Sequence, residues 1–341
     1  MGIREQNVIN NIIIKTKGTY VIDDNYLAGL LLSDTFHNES IATMPRIGKK
    51  NQTSADEYKL NRLKGLKKLK DGLTAKVCGN INPINAIVQC FNQKLANTDN
   101  TSPAIMTFIG ASGVGKTYLA EAAAQCFNKA FSSSYESYVI NMEAFSDDKA
   151  SLKLFGTGSQ FVNSSLGDIT LRVIKNPKQV IVFDEIEKAH INTIQSLLTL
   201  LSSGSVTDLT SRHHVDFSEC IFVFTSNLGQ NYVAEHSEEV SIANLIGQSG
   251  EQKSEQGLSP EMINRLESGD IAIFKEFTAQ ELLDYSNKIT AYNKTTEYNW
   301  PSYLPELLVK SLGGKATPRS LNNQLNKLEA KVSDTVMSAV D

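Results

Sequence analysis

Apolar residues along this chain fall into two rhythms: short unbroken runs, and stripes at helical spacing. The runs are Ile105 to Ile109, Tyr138 to Asn141, Val180 to Phe183, Ile221 to Phe224 and Ile271 to Phe274, separated by stretches of helical character. Short apolar strands alternating with helices predict the α/β class, a largely parallel sheet with helices on both faces. Upstream, Leu60, Leu63, Leu66, Leu69 and Leu73 recur at helical spacing among Lys59, Arg62, Lys64, Lys67, Lys68 and Lys70, which predicts a basic amphipathic helix over 58–75. Such a helix can lay its Leu stripe on a core with its lysines in water, or it can be a nucleic-acid-binding arm. No aromatic residues are interleaved for base stacking, which favours the first. Residues 1–57 hold two apolar segments, Val8 to Ile14 and Tyr26 to Leu32, then a polar stretch, Gly48 to Glu57, that reads as a linker. Beyond Phe277 the chain turns helical and polar, punctuated by Pro301, Pro305, Gly313-Gly314 and Pro318, and Leu321 to Val340 has helical periodicity. The expected organisation is an N-terminal region over 1–57, the linker helix over 58–75, a large α/β domain over 76–275 and a small helical lid over 276–341.

Composition narrows the class. With 341 residues, 41% of them hydrophobic, the chain has material for two or three compact soluble units. Thirty-three basic against thirty-seven acidic residues leave a net charge of −4, so there is no global attraction to nucleic acid or to an anionic membrane. Cys78, Cys90, Cys126 and Cys220 are scattered, without a C-x-x-C pair or a His at zinc-ligand spacing, and read as buried reduced thiols of a cytosolic protein. No apolar run approaches a membrane span, Asn10 and Asn11 interrupt the N-terminal patch, and no small-residue cleavage site follows it. A cytoplasmic protein without membrane contact is expected.

The chemistry begins at Gly110-Ala111-Ser112-Gly113-Val114-Gly115-Lys116-Thr117, which fits the phosphate-loop pattern G-x-x-x-x-G-K-[ST] between an apolar strand and an Ala-rich helical stretch, Tyr118 to Phe127. Backbone N–H groups of Gly110, Ser112, Gly113, Val114 and Gly115 can turn inward around phosphate oxygens, Lys116 supplies positive charge, Thr117 offers a hydroxyl to Mg²⁺, and the helix presents its N-terminus to the anion. A chance Gly-rich turn would lack that strand and helix. A second apolar strand ends in Asp184-Glu185, at the edge where open α/β sheets put their ligands. Asp184 is suited to hold Mg²⁺ beside Thr117, and Glu185 to polarise a water for attack on the γ-phosphate. Either acid alone could cap a following helix near Lys188. Thr225-Ser226-Asn227 closes the next run, where Asn227 can bond the attacking water or the γ-phosphate, although Ser-Asn after a strand is also ordinary turn chemistry.

In order and wording these motifs resemble the AAA+ ATPases of the Clp type, and within them the second ATPase module of ClpA and ClpB. Asp184-Glu185-Ile186-Glu187-Lys188-Ala189-His190 is nearly the family's signature after the acid strand, and Val215-Asp216-Phe217 with Thr225-Ser226-Asn227-Leu228-Gly229 continues it. The resemblance runs from about Leu73 to the C-terminus. It implies a P-loop NTPase sheet with a helical lid, ATP and Mg²⁺ as cofactors, a homohexamer and a protein substrate. Ser259 to Arg265 is similar to the segment whose Arg reaches a neighbouring subunit's γ-phosphate, which implies that role for Arg265. Ala316-Thr317-Pro318-Arg319-Ser320-Leu321 departs from the family's Gly-Ala-Arg-Pro-Leu run around the Arg, and the lid arginine is carried over to Arg319 because Leu321 keeps the register. The substrate-gripping loop corresponds to Leu154 to Asn163, with Phe161 and Val162 at its aromatic-apolar tip and Gln160 and Asn163 in place of its glycines. A Phe folded back onto the core is the alternative. Val77-Cys78-Gly79-Asn80 resembles the segment that wraps adenine with backbone groups, which assigns Val77 and Cys78 to the nucleotide. Relatives that feed a barrel protease expose Ile-Gly followed by Phe or Leu; here Ile246-Gly247-Gln248 lacks the apolar anchor, which speaks against a protease partner.

The function expected is an ATP-dependent unfoldase or remodelling chaperone working as a ring. Two alternatives stay open: a DNA-associated ATPase of a mobile element or defence system using the basic helix, and a nucleotide-switched assembly scaffold.

Overall fold

The computed structural model describes residues 13–16, 19–22, 54–77, 79–96, 102–158, 164–228, 258–293 and 300–340. Two compact units divide the chain, Met1–Leu63 and Lys64–Asp341. Within the first, strands β1 (Ile13–Thr16) and β2 (Thr19–Ile22) pair antiparallel, with Ile13 opposite Ile22 and Thr16 opposite Thr19. The other residues of the Val8 to Ile14 segment, all of Tyr26 to Leu32, and the linker stretch ahead of Ser54 lie outside the described residues. Helix α1 (Ser54–Lys76) begins within the stretch read as linker, because Ser54, Ala55, Asp56 and Glu57 are compatible with a first helical turn despite their polarity.

The second unit is built on a five-stranded sheet in the order β4-β5-β8-β3-β9, parallel throughout: β3 (Ala104–Ile109), β4 (Glu136–Asn141), β5 (Gln179–Asp184), β8 (Ile221–Ser226) and β9 (Asp270–Ile273). Each apolar run of the sequence is one of these strands. The central strands are apolar throughout because both faces are covered: along β5, Ile181 and Phe183 point into one core while Val180 and Val182 point into the other. The first core takes Leu154 and Phe155 of α4 (Ser151–Phe155), Ile169 and Val173 of α5 (Asp168–Lys175), Ile194, Leu197 and Leu201 of α6 (Ile191–Ser203), and Met262 and Leu266 of α7 (Pro260–Glu267). The second takes Ile84, Ile87 and Phe91 of α2 (Ile81–Ala96), Leu119 and Phe127 of α3 (Lys116–Phe131), and Leu66, Leu69 and Leu73 of α1. Thus only part of the Leu stripe packs. Leu63 is 41% exposed, Leu69 and Leu73 are fully buried, and Lys64, Lys67 and Lys68 face water.

Between α6 and β8 lies an element the sequence pattern did not predict, the antiparallel pair β6 (Ser205–Thr207) and β7 (His214–Asp216). Three C-terminal helices, α8 (Ala279–Asn293), α9 (Leu304–Leu312) and α10 (Pro318–Val340), close on a separate small core of Leu282, Leu304, Leu308, Leu321 and Leu325. Phe277 packs against both this core and the second sheet core. Among the described residues Cys90, Cys126 and Cys220 are free and buried, and no helix is long and apolar enough to cross a membrane.

Candidate active site

Strands β3, β5 and β8 are neighbours, so the segments that follow them meet at one edge of the sheet. After β3 the chain makes the phosphate loop. Gly110 has φ 155°, and a Cβ there would lie 2.5 Å from the carbonyl oxygen of Phe274, so only glycine lets the loop leave the strand this close to β9. Gly115, at φ 94°, occupies the N-cap of α3 in a left-handed conformation, and the helix then starts at Lys116. Ser112, Gly113, Val114, Gly115, Lys116 and Thr117 line a cavity of about 520 Å³, within the range of small-molecule sites. Gly110 stands behind that surface and contributes its carbonyl oxygen to Lys116.

Lys116 is 7% exposed, and its Nζ donates to the carbonyl oxygens of Gly110 (2.6 Å) and Ala111 (2.8 Å) and to Oδ1 of Asn227 (2.7 Å). Burial pushes its pKa down to about 8, against the opposing pull of Glu187, Asp184 and Glu185, and Arg319 adds to the lowering. The Thr117 hydroxyl donates to Oδ1 of Asp184 at 2.8 Å. The same carboxylate oxygen accepts a bond from the Thr225 hydroxyl at 2.6 Å, and Thr225 Oγ1 in turn accepts the N–H of Glu185 at 3.0 Å. Glu185 sits in the left-handed region, φ 58° and ψ 57°, which costs a non-glycine residue about 1–3 kcal/mol and is found where the surroundings dictate it. Its Oε1 accepts from Nδ2 of Asn227 at 2.7 Å, and the N–H of Asn227 donates to Oε1 of Glu187 at 3.0 Å. Asn227 therefore joins the lysine to the glutamate. Neither acid caps a long helix: a short 3-10 turn, Ile186–Lys188, follows, and α6 starts only at Ile191 with His190 Nδ1 accepting the N–H of Asn192.

Thr117 and Asp184 are a hydroxyl and a carboxylate, hard oxygen donors opening on the cavity, a pairing that suits Mg²⁺ shared with phosphate oxygens. Among the described residues there is no group of three or more His, Cys, Asp or Glu that could hold a metal ion.

The other wall of the cavity comes from the C-terminal end of α1 and from the lid: Lys76, Val77, Phe277, Tyr285, Pro318, Arg319, Asn322 and Asn323 line it. The α10 terminus is fixed by reciprocal bonds, Ser320 N–H to Thr317 Oγ1 (3.1 Å) and Thr317 N–H to Ser320 Oγ (2.8 Å), with Pro318 between them. That frame holds Arg319 at the cavity despite the altered wording of the motif. Asn322 Nδ2 donates to the Tyr285 hydroxyl, linking α10 to α8 beside the cavity.

Arg265 is elsewhere. It lies in the last turn of α7, whose N-cap Ser259 accepts the N–H of Met262, and its Nη2 donates to Ser202 Oγ at 3.2 Å. It lines a second cleft with Ser202, Lys94 and Asp270 and not the cavity around Lys116. Cys78, Phe161, Val162 and Ile246-Gly247-Gln248 lie outside the described residues.

Residues 102–268 match the family model described as AAA domain (Cdc48 subfamily). The chaperone protein ClpB of Clostridium tetani is 32% identical over 220 residues, covering 64% of this chain and 25% of ClpB. The chain carries an AAA domain related to those of the Clp ATPases. ClpC of Staphylococcus aureus, the ATP-binding subunit of a Clp protease, is 32% identical over 249 residues, 68% of this chain and 29% of ClpC. The chain thus spans between a quarter and a third of the length of these relatives. A solved structure of Hsp104 with ATPγS and FITC-casein superposes with a TM-score of 0.65 at 25% identity, over 83% of this chain and 50% of that one.

The AAA+ site brings together Lys116, Thr117, Asp184, Glu185, Asn227, Arg319 and Val77, which lie far apart in the sequence. Sequence reasoning did not single out Thr225, Glu187, Phe277, Tyr285 or Asn322. Thr225 and Glu187 stood inside quoted motifs, and a pairing of β5 with β8 would have exposed the first of them.

Proposed function

We propose that this chain hydrolyses ATP with Mg²⁺ as one subunit of a homohexameric ring and uses the turnover to unfold or remodel a protein substrate in the cytoplasm. The observation that carries the reading is the chain Lys116 Nζ to Asn227 Oδ1 and Asn227 Nδ2 to Glu185 Oε1, both 2.7 Å, which fixes a phosphate-binding cation and a proton acceptor relative to each other. Lys116 and the backbone of Ser112 to Thr117 would bind the β- and γ-phosphates, and Val77 with Cys78 would border the adenine. Thr117 and Asp184 would hold Mg²⁺, which supplies charge neutralisation on the transferring phosphoryl group. Glu185 orients a water and takes its proton, while Asn227 holds the Glu185 carboxylate in line. Arg319 approaches the phosphates from the lid. Arg265, exposed and outside its own subunit's cavity, is suited to complete the site of a neighbour, which makes hydrolysis depend on assembly. Phe161 and Val162 are the residues proposed to grip the substrate. The capture of Hsp104 together with casein supports a polypeptide as that substrate.

The test is ATP turnover by wild type and Glu185→Gln, each with and without casein. Wild type should accelerate with casein, and Glu185→Gln should lose roughly 10²-fold or more in turnover while still binding ATP. An unchanged rate in the variant would remove Glu185 from the mechanism, and a wild-type rate blind to unfolded protein would count against remodelling.

A further inference from the structure

Strand β8 reads Ile221-Phe222-Val223-Phe224 and then, still fully buried, Thr225. A hydroxyl at such a position is costly unless both its donor and its acceptor are used. Here both are used, and by the two acids of the site. The parallel register sets Val180 beside Ile221 and Phe183 beside Phe224, so one step further along the strands Asp184 and Thr225 come side by side. Thr225 donates its proton to Asp184 Oδ1 at 2.6 Å and accepts the N–H of Glu185 at 3.0 Å. One side chain thus spans two consecutive residues with different duties.

The second bond falls on a backbone in an unusual state. Glu185 holds a left-handed conformation that its side chain disfavours, and that conformation turns its N–H towards β8 while its carboxylate meets Asn227. The first bond fixes the rotation of Asp184, whose same oxygen also accepts from Thr117.

We infer that Thr225 is a positioning residue for hydrolysis: its hydroxyl locks Asp184 towards Thr117 and holds the strained Glu185 backbone so that the carboxylate stays aimed. The inference rests on the ATPase reading above. It differs from a merely structural threonine, which would matter for stability alone. Valine, of the same shape but without the hydroxyl, would leave the packing of β8 intact and free both acids.

The experiment compares full-length wild type, Thr225→Val and Thr225→Ser for turnover, for melting temperature, and for affinity to a fluorescent ADP analogue with and without Mg²⁺. Thr225→Val should lower turnover by roughly 10–100-fold and remove most of the Mg²⁺-dependent gain in nucleotide affinity, while its affinity without Mg²⁺ stays within about threefold of wild type. Thr225→Ser, which keeps the hydroxyl, should restore both properties to within about threefold. If Thr225→Val does not fold, Thr225→Ala and Thr225→Ser differ by the hydroxyl only and carry the same comparison. Wild-type turnover and Mg²⁺ response in the valine or alanine variant overturns the inference, as does a serine variant equally impaired. A wild-type protein that neither binds nor hydrolyses ATP would instead overturn the underlying ATPase reading, and the inference with it.

Discussion

A buried carboxylate is tolerable only when its lone pairs are filled, and Asp208, fully buried between β6 and β7, accepts five hydrogen bonds. They come from Gly167 N–H, the Thr170 hydroxyl, the N–H groups of Thr210 and Ser211, and the Ser211 hydroxyl, at 2.5–3.0 Å. Burial pushes the Asp208 carboxyl up, but the bonds from Ser211, Thr170 and Gly167 outweigh it and hold its pKa below the ordinary value. A carboxyl whose native pKa is depressed stabilises the fold above its unfolded pKa, and that contribution fades as pH falls through the native one. Asp208→Asn should therefore cost about 2 kcal/mol at neutral pH. The difference from wild type should shrink in strongly acidic buffer, as urea titrations across the acid range would record; a gap independent of pH would deny the ionised form its role. Asp208 was invisible in the sequence, and so was the work of Thr225 and Glu187. The phosphate loop is different, since eight consecutive residues dictate their own backbone. Thr225 acts only because β5 and β8 are adjacent in a register that no local spacing encodes.

Among the elements, α1 is where two readings of one pattern separate. Its lysines suggest an electrostatic arm, but Leu66, Leu69 and Leu73 enter the core formed with α2 and α3. Leu69→Ala should destabilise the protein by roughly 2–5 kcal/mol, whereas Lys67→Ala and Lys68→Ala, on the exposed side, should stay within about 0.5 kcal/mol. Thermal melts of the three variants decide it; the opposite ranking would return α1 to the role of an arm. The five sheet strands were legible because burial on both faces leaves an apolar run that needs no periodicity to be seen. By the same physics β6 and β7 were not: three residues each are too few to display alternation, and Ser205 and His214 carry no apolar signal. The helix start at Ser54 was hidden because Ser54-Ala55-Asp56-Glu57 show no apolar periodicity, which leaves only helix propensity to mark it.

At the scale of the whole molecule, Arg319 is the one guanidinium among the described residues that line the cavity of Lys116 and Glu185, and Arg265 lies on another cleft. If neighbours supply Arg265, then Arg265→Ala and Lys116→Ala proteins, each nearly inactive alone, should in equal random mixture regain activity at about a quarter of their junctions. Mixed rings verified by mass spectrometry and still inactive would confine Arg265 to its own subunit. The cavity wall around α8 and α10 could not be read from the sequence, because Phe277, Tyr285 and Asn322 carry no motif. Phe277 shows what that wall entails. The lid keeps an apolar core of its own, and this one ring packs against both that core and the sheet core while also lining the nucleotide cavity. Any change of angle between the sheet and the C-terminal helices would have to be taken up at that ring, and would be felt at once in the wall of the cavity around Lys116.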